Sequence, residues 1–492
     1  MKLRTEFLLA ALLVPFFTFV FTWQYFTSSP ATVYASSSLQ NPRAFLFVKG
    51  NLRRYVYTRS FKRMIRQFRS NKKLAKFLDT PMGKDFLKSP PLASIAEITD
   101  LIGLLGDGAK WEILFQIFPA GMYYASSEIG SSFVAPLSRL GVKIFRPLIR
   151  KDVSGSLTIY RNMLIYSTWL EGQKKRLDAP QKVAKKIWLS AKNSDLILSF
   201  SGEKEKQPGY ANISDALLGM LFPSKYISEN EMVIRGTKSG VSITFVGNLT
   251  KDGDELLTKY ANRPYRWPLF LSGKKFNVMV ETKLPPNFWA SWVGASLAVS
   301  TEKGVGLAAH KLIADYGFLF PEAFFYWGKN ETWDEFFTSV FKVGNYSTYY
   351  DKQGAYVVKR VRYAYYRGKD YYLFEPHLKN LKSGYSLWGS LPTIFNAGYS
   401  LLNRPKRKDV IFKNFIKPPG VTVLKGYCQI GKFLKLSLPA FRKIEVVDNP
   451  AAYDDFLATL KKSMPYIENS YLRGQIVKHR NRMRGFAEWK FY

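Results

Sequence analysis

The stretch EMVIRGTKSGVSITFVGNL, residues 231–249, decides how the middle of this chain is read. β-branched and aromatic residues recur on both sides of Thr237-Lys-Ser-Gly240, and two such runs around a glycine-containing turn make a hairpin pattern. Neither run repeats its apolar residues at helical spacing. Three more stretches share this character. SLTIYRNMLIYST, residues 156–168, places two short β-rich runs around Arg161-Asn162. KKIWLSAKNSDLILSFSG, residues 185–202, repeats the arrangement with a longer turn. VVKRVRYAYYRGKDYYLF, residues 357–374, turns one aromatic run back on another at Arg367-Gly-Lys-Asp370, and its tyrosines are explained by cross-strand pairing.

Helical patterns lie outside these hairpins. From Ser60, the residues Phe61, Met64, Ile65 and Phe68 follow the spacing of one helix face, while Lys62, Arg63, Arg66 and Arg69 occupy the other. Apolar helical character returns over Ser94–Phe118 and again over Ser131–Ile149, where Pro147 marks the end. Near the carboxyl end, Asn449-Pro450 opens a helix with Asp454 and Asp455 early and Lys461-Lys462 late, a distribution that complements the helix dipole. Its expected buried stripe is Tyr453, Phe456, Leu457 and Leu460.

These patterns define an α+β, β-rich fold with several antiparallel hairpins and amphipathic helices. Both halves open on a strand (AFLFVKGN, KFNVMVETKL), pass through helical material and reach a tyrosine-rich hairpin (IYRNMLIY, YYRGKDYY), which suggests two similar halves. Two prolines within Asn262–Pro268 set the boundary. The expected organisation is a leader or anchor over 1–35, a first α+β domain over 36–262, and a second over 263–492 with the carboxyl-terminal helix.

The amino end addresses location. Lys2 and Arg4 precede an uncharged run from Phe7 to Phe26, about the length of a bilayer-spanning helix, and no basic residue follows until Arg43. The small residues around Val33-Tyr34-Ala35 resemble a cleavage site, so the run reads either as a signal peptide removed near Ala35 or as an inner-membrane anchor over 7–26. Both export the rest of the chain. Cys428 is the only cysteine in 492 residues, which excludes an intrachain disulfide and fits a bacterial periplasm better than a eukaryotic secretory route. Four sequons (Asn212, Asn248, Asn330 and Asn345) keep the latter route open.

Composition and motifs narrow the chemistry. Lys plus Arg total 73 against 37 Asp plus Glu, a formal charge of +36 that favours anionic surfaces and polymers. The residues read as anion-binding are Lys62, Arg63, Arg66 and Arg69 on the basic helix and Arg360, Arg362 and Arg367 on the tyrosine-rich hairpin. Anionic lipid or an acidic wall polymer is the expected partner, with a membrane-associated protein as a consequence. The plainer alternative for the helix is core packing with a solvated basic face. Export and the absence of RNP-type patterns argue against nucleic acid.

No cofactor is implied, since P-loop, G-x-G-x-x-G and G-x-S-x-G patterns are absent. His310, His377 and His479 lack metal-ligand spacing. The elements of a periplasmic serine hydrolase occur as letters, Ser70-Asn-Lys-Lys73, Ser228-Glu-Asn230 and Lys382-Ser-Gly384, but S-x-x-K also recurs at Ser201, Ser272 and Ser300. The chain therefore reads as an exported cell-envelope protein, not an enzyme, that binds or organises anionic membrane or wall components at the periplasmic face. A cell-wall-active serine hydrolase is the alternative.

Overall fold

A computed structural model describes residues 52–58, 69–83, 116–118, 122–127, 131–151, 157–160, 162–167, 196–201, 225–271, 276–284, 304–315, 318–331, 347–350, 354–359, 376–403, 411–415, 418–442 and 450–492, with residues 63, 66, 67, 334, 335 and 409. The fold is α+β and β-rich, and every strand pairing it records is antiparallel. The described residues cluster into two compact units, one drawn from 1–70, 87–203 and 231–236, the other from 71–86, 204–230 and 237–492.

In the first unit, β1 (Leu52–Thr58) pairs with β2 (Met122–Ser127) on one side and β6 (Leu196–Ser201) on the other. The series continues from β2 to β3 (Ser131–Pro136), then to β5 (Met163–Ser167) and β4 (Leu157–Tyr160). The pairing order is β6-β1-β2-β3-β5-β4. β4 and β5 meet across Arg161-Asn162 as expected, and Asn162 takes φ 60°, a left-handed conformation that asparagine tolerates. Residues 131–136 were expected to start a helix, but they form β3. Phe133, Val134 and Ala135 are all buried there, and such a run satisfies a strand covered on both faces as well as a helix. The helix is α2, Arg139–Lys151, and it runs one turn beyond Pro147. Val142 and Phe145 of α2 are buried, with the Phe145 ring 5.9 Å from Phe118.

The second unit begins with α1 (Lys72–Leu78), whose cap residue Asn71 accepts from the Lys73 and Leu74 amides at 3.0 and 2.9 Å. The same side chain donates to the Lys238 and Phe491 carbonyls, tying α1 to the turn of residues 238–239 and to the last strand. That turn joins β7 (Ile227–Thr237), of which residues 231–236 cluster with the first unit, to β8 (Gly240–Leu249), as residues 231–249 predicted. α3 (Lys251–Ala261) follows, capped by Thr250, with Asp252 and Asp254 at its start, Lys259 at its end, and Leu257, Tyr260 and Ala261 buried.

The remaining strands are β9 (Val278–Thr282), β10 (Val305–Asp315), β11 (Phe318–Gly328), β12 (Ser347–Tyr350), β13 (Tyr356–Lys359), β14 (His377–Asn380), β15 (Tyr385–Gly389), β16 (Val421–Cys428), β17 (Tyr471–His479) and β18 (Arg482–Lys490). They pair in one continuous order, β8-β18-β17-β16-β9-β10-β11-β15-β14-β13-β12. Within it, the pairing order β16-β9-β10-β11-β15-β14 matches the first unit's β6-β1-β2-β3-β5-β4 strand for strand, with β12 and β13 inserted in the chain between β11 and β14. The hairpin that corresponds to β4–β5 is β14–β15, turning at Lys382–Gly384.

Four helices complete this unit: α4 (Pro268–Leu271), α5 (Pro392–Asn403), α6 (Ile430–Phe441) and α7 (Pro450–Ile467). Leu269 and Phe270 of α4 and Ile394, Phe395, Leu401 and Leu402 of α5 pack with Met279, Phe324, Tyr326 and Leu387 of the strands. α7 starts at Pro450 as expected, but its buried side differs in part. Leu460 is buried as expected and Tyr453 and Leu457 are half-buried, but Phe456 is 42% exposed, and burial continues through Met464 and Ile467. Among the described residues no helix is long and apolar enough to cross a membrane, and residues 7–26 lie outside them.

Candidate functional site

The residues read as anion-binding divide in two. Arg63, Arg66 and Arg69 are exposed on helical turns of the first unit, as the apolar and basic spacing of that segment requires. Lys62, Arg360, Arg362 and Arg367 lie outside the described residues, as does the turn of the tyrosine-rich hairpin. Only Val357–Lys359 of that stretch is described, as part of β13.

A second basic surface escaped the sequence reading. On α2 the cations Arg139, Lys143, Arg146 and Arg150 recur at steps of four, three and four residues, which puts them in one stripe. The stripe runs about 16 Å at 1.5 Å per residue. Lys143, Arg146 and Arg150 are exposed, α2 contains no acidic residue, and Val142 and Phe145 are already committed to the core. The helix therefore presents a row of exposed cations beside residues packed into the core. Reading residues 131–149 as a single helix hid this spacing behind the apolar residues of β3.

The densest chemistry lies in the second unit, around β9. Glu281 is wholly buried, although it sits between Gly306 of β10 and Lys425 of β16 in the strand register. Its Oε1 accepts from the Tyr265 hydroxyl at 2.8 Å and the Tyr326 hydroxyl at 2.5 Å, and the two hydroxyls are 3.3 Å apart. Its Oε2 has no side-chain partner among the described residues, and the Leu269 amide is the one backbone donor that acts on the carboxyl. Glycines make room for the two rings. A Cβ at residue 304 would come within 2.7 Å of the Tyr265 ring, and one at 306 within 2.3 Å of the Tyr326 ring.

Burial raises the Glu281 carboxyl from 4.5 to about 8. The tyrosine hydrogen bonds, the Lys425 charge and the Leu269 amide offset only part of that. Burial, followed by the nearby carboxyl, pushes Tyr265 and Tyr326 well above the usual tyrosine range and Tyr385 to about 12. The tyrosines thus remain donors wherever the protein is folded at ordinary pH, and Glu281 is held as a neutral acid at pH 7.

Lys425 faces this acid but binds elsewhere. Its ammonium is 2.7 Å from Asp409 Oδ2 and lies 5.4, 5.6 and 5.1 Å from the ring centres of Trp267, Phe270 and Phe412. Asp409 Oδ1 in turn accepts the Phe412 amide at 3.0 Å. One strand over, Arg473 pairs with Glu488 at 2.5 Å, donates to the Ile411 carbonyl and stacks over Phe415. Two cations from neighbouring strands thus hold the segment 409–415. Nothing in the local sequence marks Glu281, because a lone acid in VMVETKL looks like any strand residue turned to solvent.

Ser70 Oγ donates to the Gln67 carbonyl at 2.6 Å, and Ser228 Oγ to the Asn248 carbonyl at 3.2 Å. Lys382–Gly384 forms the β14–β15 turn, seven strands along the pairing order from β8, beside which Ser228 lies. His310, His377 and His479 sit on β10, β14 and β17, and no group of metal-ligating side chains occurs among the described residues. Cys428 is half-buried at the end of β16, and burial pushes its thiol up to about 11. No family model, curated protein or solved structure matches the chain.

Proposed function

We propose that this is an exported component of a bacterial cell envelope, not an enzyme, that binds or organises anionic membrane or cell-wall components at the periplasmic face. The uncharged run over Phe7–Phe26 exports it, either as an anchor or as a signal removed near Ala35. The observation that carries the binding reading is the α2 stripe, with Lys143, Arg146 and Arg150 exposed on a helix that lacks acids and buries Val142 and Phe145 in the core. Arg63, Arg66 and Arg69 add exposed charge in the same unit, within a chain of net charge +36. Attraction to these cations is electrostatic and is screened by salt, with a reach near 10 Å at 0.1 M and near 3 Å at 1 M.

The same reading takes the chain as two similar halves. The recurrence of one pairing order in both units supports it, since a six-strand order with the same crossing of the fourth and fifth strands is a demanding coincidence.

Cosedimentation of residues 36–492 with neutral and anionic vesicles, and with an acidic wall polymer, tests the reading. Basic residues near an anionic membrane contribute about 1 kcal/mol each, so reversing Arg66, Arg146 and Arg150 to glutamate is expected to weaken binding about a hundredfold or more. Equal binding to neutral and anionic partners, or no loss on reversal, would overturn it.

A further inference from the structure

The relation between Glu281, Lys425 and Asp409 carries an inference independent of the basic surfaces. A carboxyl is enclosed in the core with two tyrosine hydroxyls on Oε1, and the Leu269 amide is the one backbone donor that also acts on it. Burial disfavours the charged form of such a group unless a counter-ion reaches it. Yet a counter-ion is within reach. Lys425 and Glu281 are direct cross-strand partners, a placement that puts their Cβ atoms about 5 Å apart on the same face of the sheet. The lysine stem is long enough to aim its ammonium either at Asp409, as it does here, or at Glu281.

We propose that Lys425 is a proton-controlled latch, bound to Asp409 while Glu281 holds its proton and transferred to Glu281 when that proton leaves. In the first state, the Lys425–Asp409 pair and the three surrounding rings fix the start of the 409–415 segment. In the second, the ammonium neutralises the buried carboxylate, and Asp409 loses its cation. Asp409 tolerates this better than Glu281 would, since its side chain keeps 20% of its exposure and so retains water. The rest of the segment stays anchored, near its start through Arg473 to the Ile411 carbonyl and at its far end through Phe415 against Phe486. The latch therefore loosens one end of the segment without releasing the whole.

The other groups facing Glu281 do not compete for the role. Tyr265 comes from the segment before α4, Tyr326 from β11 and Tyr385 from β15, and burial keeps all three protonated. α4 contributes only the Leu269 amide, and β10 contributes Gly306, which has no side chain. Arg266 acts on Tyr385 and is exposed. Lys425 is the one cation on the strands flanking Glu281 that reaches the carboxyl electrostatically.

The test is fluorine NMR of the full chain with 4-fluorophenylalanine at position 412, a ring 5.1 Å from the Lys425 ammonium. Between pH 6 and 9.5, the resonance is expected to shift with a midpoint near 8, the value to which burial raises Glu281. Glu281→Gln cannot ionise and is expected to abolish the transition. Asp409→Asn removes the competing partner and is expected to lower the midpoint by at least one pH unit, which keeps the proposal testable if the glutamine variant does not fold. A flat response in the unaltered chain, a transition that survives in Glu281→Gln, or an unchanged midpoint in Asp409→Asn would each overturn the latch.

Discussion

Lys425 and Glu281 lie directly opposite each other on paired strands, yet the lysine is bound to Asp409, 2.7 Å away, and the glutamate to two tyrosines. Opposite charges placed across a strand pair ordinarily attract. Burial raises the Glu281 carboxyl to about 8 and so weakens that attraction at neutral pH.

The first expected outcome concerns pH. Glu281 holds its proton more tightly in the folded chain, up to about 8, than the 4.5 of an unfolded glutamate. The folded state therefore binds the extra proton between those values. Its stabilising contribution is complete below pH 4.5, falls as pH rises through the window, and is gone above about 8. The slope is at most about 1.4 kcal/mol per pH unit. Urea midpoints measured at pH 5, 6.5, 8 and 9 should show this decline, and Glu281→Gln should flatten it.

Gly306→Ala is expected to destabilise the second unit by about 1–3 kcal/mol, the range for overpacking a close-packed core. The new methyl would stand 2.3 Å from the Tyr326 ring, whose hydroxyl is itself fixed on Glu281. Chemical denaturation measures the loss. An unchanged midpoint would mean that the ring is not held where the hydrogen bond requires.

Thr250→Ala should cost about 1–2 kcal/mol, because the threonine caps α3 and also secures the chain before β7. Its hydroxyl accepts the Gly253 amide at 3.1 Å and donates to the Lys225 carbonyl at 2.8 Å. Thr250→Ser keeps both bonds and should recover most of the stability, a comparison that separates capping from the methyl's packing.

Export is tested at the amino end. A reporter enzyme that works only outside the cytoplasm, fused after residue 60, should be active, since Lys2 and Arg4 precede the uncharged run and nothing basic follows until Arg43. Activity of a cytoplasm-only reporter at the same junction would remove the periplasmic reading and leave the charge of the chain to be explained by an internal partner.

Local chemistry by itself determined several elements of this protein. Strands alternate around turns with a period of two, so residues 231–249 announced β7 and β8, and Arg161-Asn162 announced the turn between β4 and β5. Pro450 with early acids announced α7. Exposure of Arg63, Arg66 and Arg69 followed from helical spacing in the same way. Each of these depends on residues within one or two turns of each other. Tertiary structure alone decided the rest. Phe133, Val134 and Ala135 became a strand because partners on either side, β2 and β5, were available to take their backbone hydrogen bonds. Phe456 was left exposed because α7 lies with Leu460, Met464 and Ile467 inward. The Glu281 site assembles side chains from residues 265, 281, 326, 409 and 425, drawn from strands and loops that only the pairing order brings together. A carboxyl's pKa depends on what surrounds it in space, and a sequence states neighbours along the chain but not across it.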